Sequence, residues 1–107
     1  MIYTQSELTA ILQAFARQFH ISTVYLFGSY ARGEATEQSD VDIAIDATNI
    51  HGLLEFERAR LYLADQLGKS VDMISIQAIE DEKDFPYRKA FMTSYLKDRV
   101  KIDGAGH

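Results

Sequence analysis

Apolar positions recur with two different periods along this chain, and the switches between them mark out its elements. Leu8, Ile11, Leu12, Phe15 and Phe19 return at intervals of three and four, which predicts a first helix with one buried stripe. Thr4 or Ser6 can cap it, and Glu7 sets a negative charge at the positive end of its dipole. His20 reads as a surface or capping residue at the helix end. Ser22 to Phe27 then forms a run rich in β-branched and aromatic residues that stops at Gly28-Ser29, the pattern of a buried strand entering a tight turn. Tyr30 to Arg32 reads as a helical turn and Gly33 to Ser39 as a polar connection. From Asp40 to Ile45 small or polar residues alternate with large apolar ones, so a second strand follows. A short link favours an antiparallel pair, which brings Gly28-Ser29 and Asp40-x-Asp42 to the same end.

The longer period returns over about 50–67, where Leu53, Leu54, Leu61, Ala64 and Leu67 define the expected apolar side of a long helix. Gly68 suits the left-handed position after its end. Arg58 and Arg60 sit mid-helix, with Glu55 and Glu57 near enough to neutralise them. A third strand is expected over about 70–76, with Asp72 on one face and Val71 and Met73 on the other. Glu80 to Asp84 is an acidic, exposed segment, and Pro86 suits the first turn of a last helix that carries Tyr87, Phe91 and Tyr95 at spacing four. Those aromatics exceed what a small core needs and suggest an interface. Val100 to Ile102 is a short strand at the sheet edge. The order α-β-α-β-α-β-α-(β) implies an α/β (α+β) fold with a small mixed sheet of three to four strands and helices packed mainly on one face. One domain spans 1–103, and 104–107 is a tail without periodicity that need not be native.

Composition narrows the class. With 107 residues, the chain has room for one core and none for an added substrate-binding domain. No apolar run approaches a membrane span, and no signal-peptide pattern opens the sequence. The chain has no cysteine, which removes disulfides and thiolate metal sites; a cytoplasmic location is expected. A net charge of −5 argues against direct nucleic-acid binding. The basic residues Arg88, Lys89, Lys97, Arg99 and Lys101 are interleaved with Asp84, Asp98 and Asp103, as on a solvated face.

The candidate chemistry lies between 24 and 46. Glycine lets the backbone approach a ligand, and Ser29 with neighbouring amides can donate to an anion, so Gly28-Ser29 is a candidate phosphate cradle. Ten residues further on, Asp40 and Asp42 project from one strand face, about 7 Å apart at the backbone. Two such carboxylates repel unless a cation lies between them, and oxygen ligands suit Mg²⁺. With Asp72 added, three acids on two strands beside a phosphate cradle make a metal-dependent phosphoryl or nucleotidyl transfer site.

Gly28-Ser29, Asp40-x-Asp42 and the distal Asp72 resemble the signature of the polymerase beta-like nucleotidyltransferase superfamily. The small size and the run from Gly28 to Ala35 resemble its minimal branch, the MNT antitoxins paired with HEPN toxins. The resemblance implies transfer of AMP from Mg·ATP to a hydroxyl, that of a tyrosine, on a partner HEPN ribonuclease toxin. It assigns Gly28 and Ser29 to the β and γ phosphates and Asp40 and Asp42 to the metal that bridges them. Asp72 becomes the ligand of a second Mg²⁺ ion or the base. Arg32 either steadies phosphate charge or pairs with a nearby glutamate. A hetero-oligomer with the toxin is expected, with a homodimer as a further option. The competing readings are a non-catalytic antitoxin that covers its partner, and nucleotidyl transfer to a small molecule.

Overall fold

Thr4 opens the first helix with a reciprocal cap: its hydroxyl accepts from the Glu7 amide while the Glu7 carboxylate accepts from the Thr4 amide. Such a box satisfies two otherwise orphaned donors and contributes about 1 kcal/mol. The computed structural model describes residues 2–102, and the expected tail over 104–107 lies outside them. α1 (Gln5–Phe19) ends on His20, whose left-handed backbone (φ 56°) makes it a capping residue.

The remaining elements are β1 (Val24–Phe27), α2 (Gly28–Arg32), β2 (Val41–Ile45), α3 (Gly52–Leu67), β3 (Val71–Ser75), α4 (Ile76–Glu82), a 3₁₀ turn (Pro86–Arg88), α5 (Lys89–Asp98) and β4 (Val100–Lys101). The sheet order is β3-β2-β1-β4, with β1 antiparallel to β2 and β4, and β2 parallel to β3. The mixed four-stranded sheet expected from the pattern is therefore present. Among the described residues no helix is long and apolar enough to cross a membrane.

Alternation along the strands sorts side chains to two faces. Val24, Leu26, Val41, Ile43, Ile45, Val71 and Met73 face one way and form a buried core with Leu8, Leu12 and Phe15 of α1 and Ala59, Leu63 and Leu67 of α3. Burying each large side chain there contributes roughly 1.5–3 kcal/mol. The two long helices thus share one face, as expected. The other face is not bare: Phe27, Ala44, Ile79 and Tyr95 form a second, smaller cluster that brings α4 and α5 onto it. Phe27 packs edge-on against Phe91 and Tyr95, with ring centroids 5.9 and 5.3 Å away. This clamp fixes the residue immediately before Gly28.

Three expectations are corrected. Leu53, Leu54 and Leu61 do not face the core: they are 87%, 69% and 53% exposed, and α3 buries Ala59 and Leu63 beside the expected Leu67. The helix chooses the face on which small Ala59 allows close approach to the sheet. The stretch read as a strand to Ile76 and then an acidic loop contains α4, which begins when the Ser75 hydroxyl caps the Ala78 amide at 3.1 Å. Ile76 and Ile79, one turn apart, turn its apolar side to the sheet. The last helix starts at Lys89 rather than Pro86, because Pro86–Arg88 winds as a 3₁₀ turn, which takes Tyr87 out of line with Phe91 and Tyr95 and leaves it 68% exposed.

Candidate active site

The antiparallel register of β1 and β2 pairs Phe27 with Asp42, so the chain leaves β1 for α2 directly beside the second acid of β2. Gly28 sits there with φ +74°, and a Cβ built on it would lie 2.1 Å from Asp42 Oδ2. Only glycine fits both the backbone angle and the space. Phe27 is the N-cap of α2 and supplies no side-chain cap, so the first amides of the turn, those of Gly28 and Ser29, are free of a side-chain acceptor from that residue. Gly28 and Ser29 are both half-buried at this edge of the sheet.

The parallel register pairs Asp42 with Asp72 across β2 and β3, about 4.8 Å apart at the backbone by ordinary strand spacing. Asp72 is exposed, Asp42 half-buried, and Asp40 exposed just before β2 begins. Burial pushes the Asp42 carboxyl up from its ordinary 3.8 to about 6, with the charges of Asp72 and then Asp40 adding to the rise and Arg32 opposing it. The three acids picked from the sequence therefore act on one another at one end of the sheet.

Arg32, at the end of α2, is held by two carboxylates: Nε donates to Glu34 and Nη1 to Asp98, each at 3.0 Å. The Glu34 and Asp98 hydrogen bonds raise its proton affinity further. The local ion pair considered for Arg32 is formed, and its charge reaches Asp42. Arg60 pairs with Glu57 and donates to the Val71 carbonyl at 3.3 Å. There it closes the outer edge of β3 and lies within the field of Asp72.

The donor set is all oxygen, which is the preference of a hard divalent cation. The crowding that raises Asp42 is the kind a cation relieves. No group of three or more His, Asp or Glu among the described residues could hold an ion by itself. Mg²⁺ fits such a site, since it is commonly bound by one or two carboxylates, waters and the phosphates of a substrate.

Two features escaped the sequence reading. The contact of Gly28 with Asp42 carried a signal only in the pairing of a glycine with an acid across the expected hairpin. Asp46, at the far end of β2, accepts from Ser22, Thr48 and Gln77 side chains and the Thr48 amide, and these bonds hold its carboxyl down at about 2. Only Thr48 stands near it in the sequence; Ser22 comes from the segment before β1 and Gln77 from α4.

The family model described as polymerase beta nucleotidyltransferase matches residues 9–89, from α1 through the start of α5. The chain belongs to that family. It is a nucleotidyltransferase. Over 70 residues the nucleotidyltransferase is 43% identical to the protein adenylyltransferase MntA of Thermococcus cleftensis, covering 65% of this chain and 71% of that one. In fold it is similar to a chain in a crystal structure of a toxin–antitoxin with AMP-PNP. There the TM-score is 0.69 at 20% identity, over 90% of this chain and 73% of that chain. It is also similar to a chain in the structure of a tri-AMPylated Shewanella oneidensis HEPN toxin in complex with MNT antitoxin. That match has a TM-score of 0.55 at 18% identity, over 92% of this chain and 68% of that chain.

Proposed function

We propose that this nucleotidyltransferase is an antitoxin that moves AMP from ATP onto the hydroxyl of a tyrosine in a partner HEPN ribonuclease toxin, and so silences it in the cytoplasm. The observation that carries the reading is the contact of the Gly28 turn with the Asp42 carboxylate, opposite Asp72. The likeness to a named protein adenylyltransferase supports the reaction type, and fold neighbours that contain an ATP analogue or an AMPylated HEPN toxin support the donor and the partner. A net charge of −5 favours a protein acceptor over nucleic acid.

In this reading the amides of Gly28 and Ser29 and the Ser29 hydroxyl orient the β and γ phosphates, which align the α phosphorus for attack. Asp40 and Asp42 would hold Mg²⁺, and Asp72 would hold a second ion or serve as the base; the metal would supply charge neutralisation on the phosphate oxygens. As the base rather than a ligand, exposed Asp72 takes the proton of the incoming hydroxyl as its oxygen bonds to the α phosphorus and pyrophosphate departs; a general base of this kind contributes about 10²–10⁴-fold. Arg32, fixed by Glu34 and Asp98, adds positive field at Asp42 without needing to touch the nucleotide.

The test is direct. Chain and toxin are incubated with α-labelled ATP and Mg²⁺, and the toxin is weighed by mass spectrometry and assayed for RNA cleavage. Label on a toxin tyrosine with loss of cleavage is expected; an unlabelled toxin that remains active rejects the reading. Neutralisation by covering alone is the second reading, favoured by the stacked, exposed Phe85 and Tyr87 (ring centroids 5.6 Å apart), which offer a partner apolar surface without chemistry. Asp40→Ala with Asp42→Ala separates the two: silencing survives in the double variant only if covering suffices.

A further inference from the structure

α3 turns Ala59, Leu63 and Leu67 into the core, and the side opposite them carries Leu54, Arg58, Leu61 and Asp65. At 100° per residue these four fall within about 60° of one another, a stripe with the 4-3-4 spacing of a helix-packing seam. Leu54 is 69% and Leu61 53% exposed, with Leu53 87% exposed at the same end. Both leucines are more than half bare and stand in line on a helix that already has a buried face, so they offer a second apolar row to a partner. The charges of the stripe are equally unspent. Glu57 and Arg60 pair with each other, whereas Arg58 and Asp65 belong to no ion pair among the described residues.

We propose that this stripe is a self-association surface on which a second copy of the chain docks, α3 antiparallel to α3 across a two-fold axis near Leu61. The order of charges selects the occupant. A cation stands three residues before Leu61 and an anion four residues after it, so a reversed copy sets each Arg58 towards the other chain's Asp65 while the two Leu61 side chains meet at the centre. The stripe is neutral within a chain of net charge −5, and it is the kind of local patch on which like-charged copies can approach. It also lies behind the sheet from Asp42 and Asp72, since α3 packs on the face opposite the acids. Two copies joined there leave both acid-bearing faces open. The proposal stands on α3 and holds whichever acceptor the acids serve.

Sedimentation equilibrium of the full chain from micromolar to millimolar concentration tests it, with circular dichroism melting as the folding control, because every altered side chain is exposed or outward-facing. A rise to twice the chain mass is expected. Leu61→Lys, which keeps helix-compatible partners in Glu57 and Asp65, abolishes the rise. Arg58→Asp weakens association at least about tenfold, and Arg58→Asp combined with Asp65→Arg restores it, as a pairwise interaction across the interface requires. A wild-type chain that keeps the single-chain mass throughout overturns the proposal, as does a double reversal no better than the single one. A monomeric chain whose Leu61→Lys variant instead loses capture of a HEPN toxin assigns the stripe to that partner and likewise overturns it.

Discussion

The two ends of β2 each carry an aspartate that is neither wholly buried nor wholly free, and the surroundings treat them in opposite ways. Asp46 is met by three side-chain donors and an amide, and its carboxyl falls to about 2. Asp42 meets two other acids and the bare backbone of Gly28, and its carboxyl rises to about 6. One end has been satisfied by the protein itself. The other has been left needing something from outside, at a cost to the fold. A strained acid pair with no internal remedy marks a working site more reliably than the number of acids does. Asp46 shows that an aspartate just past the same strand can be met wholly by the protein's own donors.

The largest break of this comparison should come from Asp42→Asn. Nucleotidyl transfer is expected to drop by at least about 10³-fold, while urea unfolding shows unchanged or slightly higher stability, because the crowded charge is gone. Gly28→Ala should combine both kinds of loss. Its methyl must displace the Asp42 carboxylate and adopt a left-handed backbone, which predicts a cost of about 1–3 kcal/mol by chemical denaturation together with a fall in transfer. Asp46→Ala reverses the pattern of Asp42→Asn: stability falls by about 1–2 kcal/mol as its donors lose their acceptor, and per-molecule transfer changes by less than about tenfold. Any larger loss of transfer would mean that the two ends are coupled.

Acidity gives the finest separation. Asp42 binds a proton more tightly folded than unfolded, so its unfavourable contribution is absent below about 4, develops as pH rises, and is complete above about 6. Asp46 is the reverse: its favourable contribution is present above about 4 and is lost as pH falls through about 2. Both groups are partly solvated, so each effect is on the order of 1 kcal/mol or less after screening. Thermal melts in chelator should therefore lose the slope between pH 4 and 6 in Asp42→Asn, and lose the slope between pH 4 and 2 in Asp46→Asn. Retention of the upper slope in Asp42→Asn would remove the crowding argument.

Much of this was legible along the chain. The hairpin that joins Gly28 to Asp42 could be read because a two-residue period on either side of a short polar link leaves few other pairings. The face of α3 could not. By hydrophobicity alone Leu53, Leu54 and Leu61 have as good a claim to burial as Leu63 and a better one than Ala59, and the choice of face follows from how closely that helix must approach β3, a tertiary fact. α4 was hidden for a related reason. Seven residues rich in acids look like a loop until the sheet supplies a surface for Ile76 and Ile79. Asp40, Asp42 and Asp72 were found as residue types in a pattern; what each feels depended on register and burial, which no spacing reports.

The antiparallel ladder from Phe27–Asp42 to Val24–Ile45 pins both margins of the segment 28–40 independently of what runs between Gly33 and Ser39. Lengthening that connection adds only slowly growing closure entropy, about 0.6 kcal/mol per doubling. Related chains are thus free to vary the rim of their catalytic mouth, and with it the shape of whatever they admit, while the anchoring points of the chemistry stay where the ladder holds them.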